Sequence, residues 1–173
     1  HPTDSVSHIA TLPREYHGTR LEYWQPISLV LPWADSLLLG FTGHPDLFLL
    51  DAEANVFDTL VVPLTARRGV PRDLEEIYAR EGLGENEVSI LSILSGMHRL
   101  SSGSVALVYL DITPGGEAWR TLGTKSFITL STLDGRRACV DLALPAVDGG
   151  RPAFAFRADT LFMLQQRVTN DAR

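Results

Sequence analysis

The sequence predicts an all-β, antiparallel fold, and three observations carry that prediction. Apolar and polar residues alternate with period two through several short runs, the pattern of half-buried strands. Turn-forming residues, as at His44-Pro-Asp46 and Asp134-Gly135, break those runs at short intervals. A strand that stops at proline recurs, since Pro13, Pro63 and Pro145 each close an apolar run.

Taken in order, Ser5 to Leu12 is the first such run, ended by Pro13. Asp35 to Phe41 reads as a buried strand, and His44 to Asp46 as a turn. Leu47 to Leu50 follows as a second strand. Asp51 to Asn55 is a further turn, with Asn55 expected in the left-handed conformation. Val56 to Val62 is the third strand, and the succession makes a meander. Segment 64–96 breaks the grammar. Pro71 suits the first turn of a helix, Asp73, Glu75 and Glu76 suit its positive end, and Gly82 can stop it. Leu74, Ile77 and Tyr78 share one face of that helix, and Glu76 and Arg80 are spaced for a pair. Val88 to Leu94 fits helix or strand. His98 is expected just ahead of the strand Ser104 to Leu110, with Asp111 just after it. Ser126 to Ser131 and Arg137 to Leu144 follow, joined by the Asp134-Gly135 turn. Asp159 to Leu164 repeats the opening of the strand at Asp35.

These runs are copies of one unit. Residues 1–13 read as the end of one unit and about 27–63 as most of a second. About 97–145 form a third and 151–167 the start of another, with a helical excursion at 64–96 centred on 71–82. Antiparallel meanders repeating at roughly 40 residues build β-propellers, one blade per repeat. The expected architecture is part of a β-propeller of about three blades, with a β-sandwich of about nine strands as the alternative. Three blades do not close a ring, so the chain is expected to be an internal piece of a longer propeller. The open outer faces, with Ile9 to Leu12 and Leu161 to Leu164, would then be covered by a second copy or by flanking blades.

Composition sets further bounds. The 173 residues suit a single domain, and 45% hydrophobic content excludes a disordered chain. A net charge of −6 argues against nucleic acid as a partner, because phosphates need a basic surface. Cys139, the single cysteine, excludes an intramolecular disulfide and a cysteine-based zinc site. Of the 15 basic residues only Lys125 is lysine, which we read mainly as coding bias. No run reaches the roughly 18 apolar residues of a membrane helix, and no signal peptide is visible.

The stretches "DSLLLGFTGHPDLFLLDAEANVFDTLVVP" (35–63) and "GRPAFAFRADTLFMLQQR" (150–167) resemble blades of six-bladed β-propeller proteins of the NHL-like and TolB-like kind. Segment 64–78, "LTARRGVPRDLEEIY", resembles an excursion between blades of such proteins. The chain departs from that pattern at Asn55, where the family carries glycine. The resemblance implies a scaffold with a central funnel, used for ligand binding, for sugar-lactone chemistry or for protein contacts. It also implies an exported bacterial protein, periplasmic or extracellular.

Catalytic motifs are mostly missing. No G-x-S-x-G elbow, phosphate-binding loop or D-x-D-x-D-G calcium loop occurs, although Gly116 to Ser126 superficially suggests the second. The five histidines are scattered, without a metal-binding i,i+4 pair. His44 is expected in a turn. Adjacent Arg67 and Arg68 could clamp a carboxylate or phosphate, or pair with Asp73 or Glu75. His98 and Arg99 would lie at the mouth of a funnel, and Asp111 could face its axis. Cys139 is expected to be a buried core thiol. Asp35, Asp58, Asp141 and Asp159 recur at equivalent strand positions, which points to a structural hydrogen bond.

The function expected from all this is a binding or interaction module without catalysis in this segment. Its partner would be a protein or a small molecule, and no cofactor or metal is expected. The competing class is a propeller hydrolase or lactonase with a metal on the axis, for which His98 and Asp111 are the candidate ligands.

Overall fold

A computed structural model of the protein describes residues 28–41, 44, 46–67, 92–113, 123–132, 134, 138–146 and 152–164. They form ten strands and, among the described residues, no helix. Strands β1 (Ser28–Trp33), β2 (Ser36–Phe41), β3 (Asp46–Leu50) and β4 (Val56–Val61) make the first sheet. The second contains β5 (Ser92–Arg99), β6 (Val105–Thr113), β7 (Gly123–Ser131) and β8 (Ala138–Ala143). The third pairs β9 (Ala153–Arg157) with β10 (Thr160–Leu164). Every pairing is antiparallel between consecutive strands, so each sheet is a meander. The all-β, antiparallel fold expected from the alternating pattern is the fold observed.

Pleating sends alternate side chains of the second sheet to opposite sides. Val105, Leu107, Tyr109 and Phe127 meet Leu38, Leu47, Leu49, Leu60 and Val62 of the first sheet in one buried core. On the other side, His98 stacks on Phe156 of the third sheet. The second sheet is therefore sandwiched. The first strands of the three sheets are neighbours, β1 beside β5 and β5 beside β9. Gly40 sits at a close approach of the first two sheets. A Cβ there would lie 2.6 Å from Leu94 Cδ2 and 2.9 Å from Leu47 Cδ2.

Short turns join the strands. Ala34 and Ala158 open two equivalent two-residue turns, with φ of 51° and 49°. These left-handed residues match the twist of the flanking strands. Gly103 supplies the positive φ, 81°, that the turn after β5 requires.

Several sequence-based expectations need correction. Ala54, not Asn55, takes the left-handed conformation at φ 66°. The Asp51 carboxylate organises that turn by accepting the backbone N–H of Asn55 at 2.8 Å and of Glu53 at 3.0 Å. His98 lies inside β5 rather than ahead of a strand. A register shift between Leu94 and Gly96 breaks the period-two signal that would have shown it. β5 begins at Ser92, within the segment assigned to the excursion, and Asp111 lies within β6 instead of following it. Cys139 is exposed. It pairs with Leu130, on the face of the second sheet that also carries His98. The helix at 71–82, the strand at Ser5 to Leu12 and Arg68 lie outside the described residues.

Candidate functional site

The densest polar cluster sits where the chain leaves the first sheet and lands on the second. After β4, residues 63–67 cross to β8, and Asp141 receives them. Its Oδ2 accepts the backbone N–H groups of Thr65, Ala66 and Arg67 at 2.7, 3.0 and 3.2 Å. Its Oδ1 accepts Arg67 Nε at 2.8 Å and Thr129 Oγ1 at 3.2 Å. Thr129 in turn accepts the backbone N–H of Asp141 at 3.1 Å.

A bulge aims the carboxylate. The β7–β8 register shifts between Ile128 and Leu130, and Asp141 takes φ 50°. Aspartate tolerates that region better than most side chains. Burial raises the cost of the charge. The three backbone donors and the Arg67 guanidinium outweigh that cost and hold the carboxyl below its usual range.

Arg67 is buried too, and its guanidinium carbon lies 3.6 Å from the ring centre of Tyr109. Its Nη2 donates to the Pro63 carbonyl at 3.3 Å. Charge, ring face and carbonyl together replace the water that a buried guanidinium loses. Burial pushes the Tyr109 phenol up to about 12, with Arg67 working against it. Arg67 meets the ring face, and among the described residues no donor or acceptor bonds the phenol oxygen.

The other residues singled out in the sequence are spread over different contacts. Arg99 sits over Trp33, its guanidinium carbon 4.8 Å from the ring, and so ties β5 to β1. His98, next in chain, points the opposite way. Its ring lies parallel to Phe156 at 4.6 Å, and Nε2 donates to the Ala158 carbonyl at 2.8 Å. Beside it, Asp159 accepts the Ser101 hydroxyl and, at 2.7 Å, its backbone N–H. Those two bonds hold the Asp159 carboxyl below its usual range. Asp111 is buried across from Ser92, whose hydroxyl donates to it.

Arg67 therefore pairs with Asp141, from a distant strand, while Asp73 and Glu75 lie outside the described residues. His98 and Asp111 are not brought together as ligands, and no group of three or more His, Cys, Asp or Glu among the described residues could hold a metal. Of the four recurring aspartates, Asp141 and Asp159 each hold a neighbouring sheet. Asp58 is exposed, with Oδ1 accepting the Thr59 N–H at 2.8 Å, and Asp35 lies in the turn equivalent to that of Asp159. His44 occupies its expected turn, with Nδ1 accepting the Asp46 N–H at 3.1 Å.

Sequence reasoning missed Tyr109, Thr129, Ser101 and Phe156. Tyr109 left one usable signal, a phenol within the apolar run Val105 to Leu110.

Chemically the Asp141 cluster positions residues 65–67 on β8. Both carboxylate oxygens are occupied by donors from this chain, and the group is sealed from solvent. What the geometry defines is a class: an all-β protein of stacked antiparallel meanders tied together by inter-sheet polar contacts. Compared with known protein families, curated proteins and solved structures, the chain shows no significant match. Among the described residues no helix is long and apolar enough to cross a membrane, which says nothing of β-barrels.

Proposed function

We propose that the chain is a binding or interaction module built from consecutive blades of a β-propeller, with its described polar residues engaged in assembly rather than catalysis. The observation that supports this reading is the arrangement of the sheets. Two four-stranded meanders and one two-stranded meander follow one another, and their first strands are neighbours while segment 63–67 fills the space between β4 and β8. Consecutive meanders whose first strands are neighbours, with a connecting segment held against the last strand of the next sheet, suit radial blades better than the near-aligned layers of a sandwich. The resemblance to NHL-like and TolB-like propellers points the same way. On that reading the protein works at a bacterial surface or in the periplasm, through contacts with a protein or small molecule.

Pulsed spin-label distances test the arrangement. Labels on β1, β5 and β9 should be close, and labels on β4 and β8 farther apart. Equal separations along the sheets would favour the sandwich and overturn the blade reading. Elemental analysis of the purified protein tests the absence of catalysis, because a stoichiometric divalent ion would restore the metal-hydrolase class.

A further inference from the structure

One contact between the second and third sheets carries a titratable ring. His98 projects from β5 and stacks on Phe156 of β9, with the ring planes 5° apart and their centres at 4.6 Å. Its Nε2 donates to the Ala158 carbonyl at 2.8 Å. A carbonyl only accepts, so Nε2 keeps its hydrogen in both charge states, and Nδ1 is the nitrogen that gains or loses a proton. The proton can therefore come and go without breaking the bond that docks the β9–β10 turn.

The surroundings of the ring set which charge state suits the docked sheet. Half-burial opposes charge on His98. The Phe156 face attracts a cation, and a charged imidazole strengthens the bond to Ala158. Asp159, in the same turn, supplies an opposite charge. Its carboxyl is held below the usual range by the Ser101 hydroxyl and N–H, and after them by the charge of His98. It thus stays ionised across the range in which an imidazole titrates. The remaining side chains that the third sheet turns to His98 are apolar, since Phe154, Leu161 and Met163 share the face of Phe156. Arg157 follows Phe156 and takes the opposite face, and Arg99 turns to Trp33 of the first sheet. Across the second sheet, Ala106, Leu130 and Cys139 share the face of His98, and of these only the Cys139 thiol titrates, three strands away.

We propose that His98 is a pH-sensitive latch, which grips the third sheet more tightly when its imidazole takes up a proton between the Phe156 ring and the Asp159 carboxylate. Ring face, carbonyl and carboxylate are all lost to His98 when the third sheet lifts away, so the docked state favours the cation. The state that favours the proton gains stability as pH falls. The extra grip is complete where the undocked imidazole is already charged, and it is lost as pH rises through the docked value. The latch needs only the two sheets, whatever architecture they belong to.

Hydrogen exchange on the full chain tests it, each amide rate being compared with the free-chain rate at the same pH. Measurements at about pH 5 and about pH 7.5 lie on either side of an ordinary imidazole. Protection of the Thr160–Leu164 amides should be about two- to fivefold higher at the lower pH, the gain that a cation over an aromatic face gives. His98→Phe keeps a ring on Phe156, and His98→Gln keeps a donor for Ala158. Neither carries a charge, and both should lose the step. Asp159→Asn keeps an acceptor for Ser101 and should show a smaller step. The other histidines, His44 among them, remain in all three variants and control for titration elsewhere. Protection that is equal at the two pH values or falls in acid, a step retained in both His98 variants, or an undiminished step in Asp159→Asn would each overturn the proposal.

Discussion

The guanidinium carbon of Arg67 lies over the Tyr109 ring, 3.6 Å from its centre, while Nε bonds Asp141 at 2.8 Å. One cation from the exit of the first sheet thus engages two strands of the second, and neither contact reaches solvent. The pair is a link between sheets, and its loss should be read in the cohesion of the two.

Replacing Asp141 by alanine leaves a buried guanidinium and three backbone N–H groups without their acceptor. Destabilisation of about 3–5 kcal/mol is expected in denaturant unfolding. Replacing Arg67 by methionine, which keeps the bulk over Tyr109, should cost less, because Asp141 retains its backbone donors. Equal costs for the two variants would contradict this division of roles.

Tyr109→Phe removes a buried hydroxyl that has no hydrogen-bond partner among the described residues, so stability at neutral pH should be unchanged or slightly higher. Alkaline behaviour should separate the two proteins. With the folded phenol near 12 and the unfolded one near 10, the folded state holds the proton more tightly. Its stabilising effect is complete below pH 10 and is lost as pH rises towards 12. The loss is on the order of 2–3 kcal/mol and should vanish in Tyr109→Phe.

Acid should act through Asp141. Its carboxyl is lowered in the folded state, so its contribution is present above the ordinary carboxylate range and is lost as pH falls through the folded value. Stability measured from pH 5 downwards should fall less steeply in Asp141→Asn than in the parent protein.

Gly40→Ala should destabilise by about 1–3 kcal/mol, because the new methyl meets Leu94 and Leu47 inside the packed core. Leu94→Ala in the same chain should recover part of that loss by making room. A thermal melt of the double variant lower than the sum of the two would count against close approach as the cause.

His98→Ala and Ser101→Ala should loosen the third sheet without unfolding the second. Amides of Thr160–Leu164 should exchange faster while those of β6 keep their rate. Global destabilisation in both would show that the third sheet is integral to the core.

The fold class was legible because strand pairing leaves a period-two trace and turns leave Gly, Pro, Asn and Asp. Strands β1 and β9 were not individually recognised. β1 carries Pro32, which a strand accepts only at an edge, and β9 alternates alanine with phenylalanine. The recurrence of aspartate pointed to a structural hydrogen bond at Asp141, although Asp35 and Asp159 occupy turns and only Asp58 and Asp141 lie in strands. The partner of Asp141 was not legible, because the Arg67 contact spans 74 residues and depends on how two sheets stack. Local spacing favoured Asp73 and Glu75 instead. The exposure of Cys139 had the same origin, since alternation tells which face a residue takes and not whether another sheet covers that face.

The three amides that converge on Asp141 are consecutive, from Thr65 to Arg67. One carboxylate therefore fixes both the position and the direction of that stretch on the second sheet. A mechanical pull on the end of the first sheet would pass through this one side chain. Force applied there would meet a single clasp, and the two sheets would part when it opens.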